Sequence, residues 1–200
     1  MSVLLGSAIN DNITNGKIIV EPFNKDNVGP NSIDVTLYNK LITYVECDIE
    51  WNGHNYYVLE KKSTLDYLDM KKEIQTYELT IPEEGLILTP GILYLGCTNE
   101  KAGSEYFIPM YEGRSSMARL GIQSHLSAGF GDINFKSNWT LEITVVHPTK
   151  IYPDIRIGQV YFHEVNEESR LKLLNMNKQY SGKYTNQIEP QKSKSYLDFK

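Results

Sequence analysis

The chain has 200 residues, a formal net charge of −5, 40 % hydrophobic and 22 % charged residues, the composition of a single soluble domain with its own core. That charge excludes a protein held on nucleic acid by a basic surface. With no long apolar run, and no basic n-region in the opening MSVLLGSAIN, the expectation is a protein with no membrane span or signal peptide.

In chain order, residues 1–15 read as a short N-terminal helix stopped at Asn15-Gly16, and Lys17 to Val20 as a first strand. Pro22 to Pro30 is a turn-rich connector. Ile33 to Tyr44 alternates as one strand, with Ile33, Val35 and Leu37 on one side; Asp34 within it reads equally as a solvated carboxylate or as a functional one. Cys47 and Cys97 form no C-x-x-C pair and are expected to be reduced, buried thiols of a cytoplasmic protein, or of the host cytoplasm were the source viral. Trp51 to Glu84 is the least patterned stretch. Its charged run DYLDMKKE suggests a helical turn or a surface excursion, and the stretch as a whole is expected to be a family-specific insertion with no catalytic role.

Leu86 to Cys97 is strand-like around a Pro90-Gly91 turn, and Tyr106 to Met110 leads into the densest part of the chain. Beyond Val146 a turn at Pro148 gives way to Ile151–Phe162, with a bend near Asp154. The charged stretch from Glu164 to Lys172 follows, then a polar tail from Gly182. Many short strands punctuated by Gly, Pro and Asn predict a mainly β fold, a barrel or jelly roll. The chain reads as one domain over 1–200, with residues 181–200 as a tail.

Glu112 to Glu142 concentrates the chemical groups. Glu112-Gly113-Arg114-Ser115-Ser116 reads as a turn in which glycine permits tight or positive-φ backbone, while a guanidinium and two hydroxyls offer donors to a phosphate. Arg119 follows. Leu126 to Asn134, with Gly129, Gly131, Asp132 and Asn134, reads as a tight hairpin. Trp139 to Val146 is β-rich. Alternation puts Leu141 and Ile143 on one face and Glu142, Thr140 and Thr144 on the more polar one.

These segments carry a resemblance. GRSSMARLG, SAGFGD followed by Phe135, TLE, and RIGQ at Arg156 to Gln159 resemble the dCTP deaminase family, the trimeric relatives of dUTPase. Arg119 and Glu142 lie 23 positions apart, as the family's arginine and catalytic glutamate do. PFNKDNVGPNSIDVTL, LGCTNE and GKYTNQ extend the similarity to most of the chain. The resemblance implies a distorted β-barrel that forms homotrimers, with each active site built from more than one subunit.

It also implies the chemistry. A zinc nucleobase deaminase needs an H-x-E with a distant P-C-x-x-C, and this chain has no cysteine pair and scattered histidines (His54, His125, His147, His163). The family resembled here deaminates without a metal on the base. Glu142 would cycle between base and acid, Arg119 would pair with it and hold its orientation, and Ser115 would position the water. Arg114 and Ser116 match phosphate ligands. Ala128 and Gly129 would let main-chain groups read the pyrimidine, Asp132 would bind the 3′-hydroxyl, and Phe135 would stack beneath the sugar. Lys183, Tyr184 and Gln187 would clamp base and triphosphate from a tail that orders over the ligand. Gln159 is expected to support the site structurally rather than to touch substrate. Met176 stands where a tyrosine is usual, with Tyr180 as its candidate substitute.

The hairpin decides between two outcomes. Ala128-Gly129-Phe130-Gly131-Asp132 is closer to the bifunctional pattern, in which dCTP is carried through to dUMP and pyrophosphate for dTTP precursor supply, than to a monofunctional deaminase that releases dUTP. Small Gly129 would leave room for a second water near the α-phosphorus. Gly131, where isoleucine is usual, would loosen the hairpin. A plain dUTPase, or a non-catalytic nucleotide-binding or structural trimer, is the remaining alternative, against which Glu142 argues. Mg²⁺ is expected to arrive on the triphosphate rather than in a protein-held cluster. The partners implied are dCTP, dUTP, dTTP as a candidate feedback inhibitor and further copies of the chain, with no nucleic acid and no membrane.

Overall fold

A computed structural model describes residues 2–61, 66–175, 183–184 and 186–199. Helix α1 (Gly6–Thr14) occupies the stretch expected from the Asn-Gly stop: Asn15 caps it and Gly16 follows with φ 69°, the left-handed conformation that ends helices at glycine. Ile9 is its buried anchor.

The main sheet is built on β8 (Tyr94–Ser104), an eleven-residue strand almost wholly buried. Along one edge runs β11 (Lys136–Val145), with β10 (Ile122–Gln123) beyond it; the other edge is shared by β3 (Lys40–Thr43) with β6 (Tyr77–Thr80), and by β1 (Ile18–Glu21). A second sheet orders β12 (Thr149–Ile151), β7 (Leu86–Leu88), β5 (Tyr56–Glu60) and β4 (Cys47–Trp51). In the third, β13 (Arg156–Glu164) lies between β2 (Ile33–Thr36) and β9 (Phe107–Gly113). One hydrophobic cluster, including Val35, Leu41, Val58, Leu88, Tyr94, Leu141 and Phe162, joins residues of all three sheets. Cys47 and Cys97 are free and buried, and burial pushes the Cys97 thiol up to about 12.

The stretch Ile33–Tyr44 departs from the expected single strand. It splits into β2 and β3, and each half belongs to a different sheet. Between them Leu37 exchanges backbone hydrogen bonds with Ile155 and Asp154, and Tyr38 N donates to Cys97 O. Ile33, Val35 and Leu37 are all fully buried, so the alternation was correctly read although the strand was not continuous.

Trp51–Glu84 is built into the sheets. It supplies β5, whose Val58 is fully buried, and β6, which pairs with β3. DYLDMKKE forms an exposed turn at residues 70–71 rather than a helix.

LGCTNE is a structural knot rather than a chemical motif. Glu100 is buried and accepts from Thr36 N (2.7 Å) and Thr36 Oγ1 (2.8 Å), while Asn99 Nδ2 donates to Thr36 Oγ1 and Asp154 Oδ1. Thr98 Oγ1 accepts from Trp139 N at 2.9 Å across a register shift between Asn138 and Thr140. Such bulges re-aim the side chains that follow, here those leading to Glu142.

Candidate active site

Sheet register brings together motifs that are far apart in sequence. On β13, Gln159 lies opposite Asp34 of β2 and opposite Glu112 of β9. Its side chain accepts from Ser32 Oγ at 2.7 Å and donates to Gly113 O at 3.4 Å. Past Gly113 the chain turns into the short helix α2 (Ser115–Ala118), with Arg114 at its N-cap and Arg119 at its C-cap. Gly113 does not adopt positive φ; the left-handed glycine here is Gly121, at φ 74°.

Arg114 Nε lies 3.1 Å from Asp34 Oδ1, and Arg156 Nη1 lies 3.5 Å from Asp34 Oδ2. Asp34 is therefore ion-paired, and it holds the Arg114 guanidinium beside the two serines. Asp34, Arg114, Ser115, Ser116, Arg156 and Gln159 line one wall of a cavity of about 380 Å³. Ser115 and Ser116 are exposed there, so two hydroxyls and one oriented guanidinium offer hydrogen-bond donors to that cavity.

Glu142 sits on β11 as the alternation required. Residues 136–145 alternate half-buried and buried without exception, placing Glu142, Thr140 and Thr144 on one face and fully buried Leu141 and Ile143 on the other. One oxygen of Glu142 accepts from Leu126 N at 3.0 Å. Among the described residues, no ion pair or side-chain hydrogen bond reaches Arg119, which is exposed. The expected Arg119–Glu142 pair is thus not made within a single chain.

The segment from Leu126 to Asn134 is not a free-standing hairpin. It pairs with β9: Tyr111 N donates to Gly129 O at 2.7 Å and Gly131 N to Pro109 O at 2.9 Å. The reversal comes afterwards, where Phe135 N donates to Asp132 O and Asn134 takes φ 70°. Both glycines are required by close approach. A Cβ on Gly129 would lie 2.5 Å from Tyr111 O and 3.2 Å from His125 Nε2, and one on Gly131 would lie 2.6 Å from Trp139 Cη2 and 2.8 Å from Pro109 O. Gly131 therefore does not loosen this loop; it lets the loop close on the indole. The space beside Gly129 is likewise taken up by the chain itself.

Ala128 is exposed, and among the described residues no hydrogen bond reaches the Asp132 carboxylate; it is the Asp132 carbonyl that closes the turn. Phe135 meets Trp139 edge-on, with ring centroids 4.9 Å apart. Beneath the loop, Tyr111 stacks on Trp139 and its hydroxyl donates to Ser124 Oγ at 2.8 Å. Burial pushes the Tyr111 hydroxyl well above its ordinary range.

The described part of the tail lies on this chain's own sheet. Gln187 is buried; its carbonyl accepts from Asn138 N and Ser137 Oγ, and its Nε2 donates to Asn138 O at 2.6 Å. Gln191 N donates to Thr140 Oγ1 at 3.3 Å, so the tail crosses the Glu142 face of β11. Lys183 is ion-paired with Asp198, and Tyr184 Oη accepts from Lys194 N at 2.8 Å. Met176 and Tyr180 lie outside the described residues. The sequence reading passed over Tyr44. Its hydroxyl accepts from Ser193 N at 2.8 Å; burial raises its pKa, and the Ser193 N–H partly offsets that rise. A single tyrosine at the end of a strand carries no sequence signal for such a place.

A sequence model described as dCTP deaminase-like matches residues 3–165. The chain belongs to the dCTP deaminase-like family. A protein of Clostridium beijerinckii named dCTP deaminase, dUMP-forming, is 42 % identical over 197 residues, 98 % of each chain. One of the same name from Clostridium botulinum (strain Alaska E43 / Type E3) is 44 % identical over 182 residues, 91 % of this chain and 90 % of the other. The crystal structure of 2′-deoxycytidine 5′-triphosphate deaminase from Agrobacterium tumefaciens superposes with a TM-score of 0.56 at 19 % identity, covering 88 % of this chain and 53 % of that one. This dCTP deaminase-like chain spans about half of the Agrobacterium chain, and the likeness between them is one of fold. Among the described residues, no helix is long and apolar enough to cross a membrane.

Proposed function

We propose that this protein hydrolyses dCTP to dUMP, ammonia and pyrophosphate in the cytoplasm. The observation that carries the reading is the near full-length identity to proteins named dCTP deaminase, dUMP-forming, combined with Glu142 on the polar face of β11. In the first step Glu142 takes a proton from water as the oxygen attacks C4 of the cytosine. The resulting carboxylic acid gives that proton to N3; the carboxylate then takes the proton of the new C4 hydroxyl and passes it to the amine, which leaves as ammonia as the C4 carbonyl of dUTP forms. A second water then attacks the α-phosphorus, with pyrophosphate leaving. Arg114, Ser115 and Ser116 hold phosphate oxygens, and Ser115 also positions the first water. Asp132 takes the 3′-hydroxyl, Ala128 and Gly129 present main-chain groups to the base, and Phe135 lies beneath the sugar. Gln159 braces the phosphate wall, and Lys183, Tyr184 and Gln187 clamp the nucleotide from a tail laid on the sheet before it arrives.

Arg119 pairs with Glu142 between subunits of a homotrimer. The reading is supported by the lack of that pair within one chain among the described residues, and a closed trimer on size exclusion would accord with it. Among the described residues no three His, Cys, Asp or Glu side chains converge on a metal position, and the Asp34 carboxylate is committed to two guanidiniums. This donor set suits Mg²⁺ carried in by the triphosphate, which would neutralise and orient the phosphate oxygens. dTTP, sharing the triphosphate and deoxyribose, would compete at the same place.

The test is to incubate the protein with dCTP and Mg²⁺ and separate the nucleotides by ion exchange. dUMP without free dUTP is expected; accumulating dUTP would show a monofunctional deaminase, and no turnover would refute the reading. Asp34→Asn should release the Arg114 guanidinium at a cost of about 1–2 kcal/mol. This corresponds to a rise of roughly 5- to 30-fold in KM for dCTP with little change in kcat, read from initial rates.

A further inference from the structure

Residues 66–76, between β5 and β6, take no part in the chemistry above, and Tyr67, Leu68 and Met70 are exposed. Yet this segment touches the end of the tail repeatedly. Lys192 Nζ lies 2.9 Å from Glu73 Oε1, Ser195 Oγ donates to Met70 O at 2.9 Å, and Lys71 Nζ lies 5.6 Å from the centre of the Phe199 ring. Tyr44 Oη also accepts from Ser193 N at 2.8 Å.

The residues so held then grip Lys183 and Tyr184. Lys194 N donates to Tyr184 Oη and Lys194 Nζ to Lys183 O, both at 2.8 Å, with Lys194 Nζ also 5.3 Å from the Tyr184 ring centre. Asp198, in the 3₁₀ turn Ser195–Phe199, pairs with Lys183 Nζ. Contacts therefore run without a break from residues 66–76, through 192–199, to Lys183 and Tyr184.

We propose that residues 66–76 are the dock of the C-terminal strap, and that Glu73 and Lys192 act as positioning residues for nucleotide binding. Each contact is weak alone because solvent screens it. Together they order the strap in the folded chain, so the nucleotide does not have to order it on arrival. The effect belongs in KM rather than in kcat, since Glu73 and Lys192 pair with each other and, among the described residues, neither bonds to Glu142. The inference rests on the reading that Lys183, Tyr184 and Gln187 bind the nucleotide.

The test uses the full chain and three variants: Glu73→Lys, Lys192→Glu and the double swap. Each single variant places like charges together and should raise KM for dCTP roughly three- to tenfold with kcat within about twofold. The swap should restore KM. Hydrogen exchange supplies a readout independent of turnover: the Ser193 and Lys194 amides should lose protection in the single variants and regain it in the swap. Unchanged exchange in the single variants would refute the dock. Faster exchange with unchanged KM would refute its role in positioning. If the unaltered protein failed to turn over dCTP, the proposed function would fail while the exchange result still reported on the dock.

Discussion

Replacing Glu142 by glutamine is expected to leave dCTP binding intact and to abolish ammonia release. Glutamine has the size of glutamate and keeps an oxygen that can accept the Leu126 N–H now received by Glu142 at 3.0 Å. Thr140 and Thr144 keep the face polar, so the strand has no reason to shift. The lost property is the ability to accept and return a proton. A positioned acid–base group contributes about 10²- to 10⁴-fold, and this carboxylate serves in successive transfers. A fall of at least about 10³ in kcat is therefore expected, equivalent to about 4 kcal/mol of transition-state stabilisation. Steady-state release of ammonia, with calorimetric titration of dCTP alongside, separates the two effects. A variant that turns over normally removes Glu142 from the mechanism, and one that no longer binds dCTP gives it a different role.

The second large effect is expected at Gly131, where isoleucine would be the residue usual in the family. Here the Cβ alone would come within 2.6 Å of Trp139 Cη2, 2.8 Å of Pro109 O and 2.9 Å of Pro109 Cγ. Trp139 is buried between Tyr111 and Phe135, and its Nε1 donates to Ala102 O at 3.3 Å, so the indole cannot swing aside. The loop would have to leave β9, giving up the Gly131 N to Pro109 O bond. Overpacking of this kind costs about 1–3 kcal/mol, and the lost pairing adds about 1 kcal/mol. Gly131→Ile should accordingly lower Tm by several degrees, at roughly 2–4 °C per kcal/mol for a domain of this size. Because Ala128, Gly129 and Asp132 ride on the same loop, kcat/KM should fall as well. Pairing Gly131→Ile with Trp139→Leu should recover part of the Tm, since the smaller side chain vacates the contested volume. No recovery would show that the backbone contact to Pro109, rather than the indole, sets the limit.

Local order was legible wherever the controlling interaction lies within a few residues. The stop of α1 at Asn15-Gly16 follows from glycine's access to φ 69°. The face occupied by Glu142 follows from the period of two along β11. The motifs around Arg114, Asp132 and Glu142 were sufficient to suggest the family, because residue types and spacing are properties of the chain itself.

What depends on distant partners was settled only by the tertiary structure. Ile33–Tyr44 divides into two strands because its halves find different sheets, a choice made by β13 and β8 rather than by the segment. Asp34 could not be classified until Arg114 and Arg156 were brought to it. Gly131 looked like a source of slack, since its sequence neighbours do not reveal that Trp139 packs against it. Residues 66–76 showed no pattern of their own because their contacts are with a tail more than a hundred positions away. A chain records its own periodicity and chemistry residue by residue. Which surfaces those residues face is fixed by packing among segments that the sequence keeps far apart, and that packing placed the Asp34–Arg114 wall, the loop and the strap.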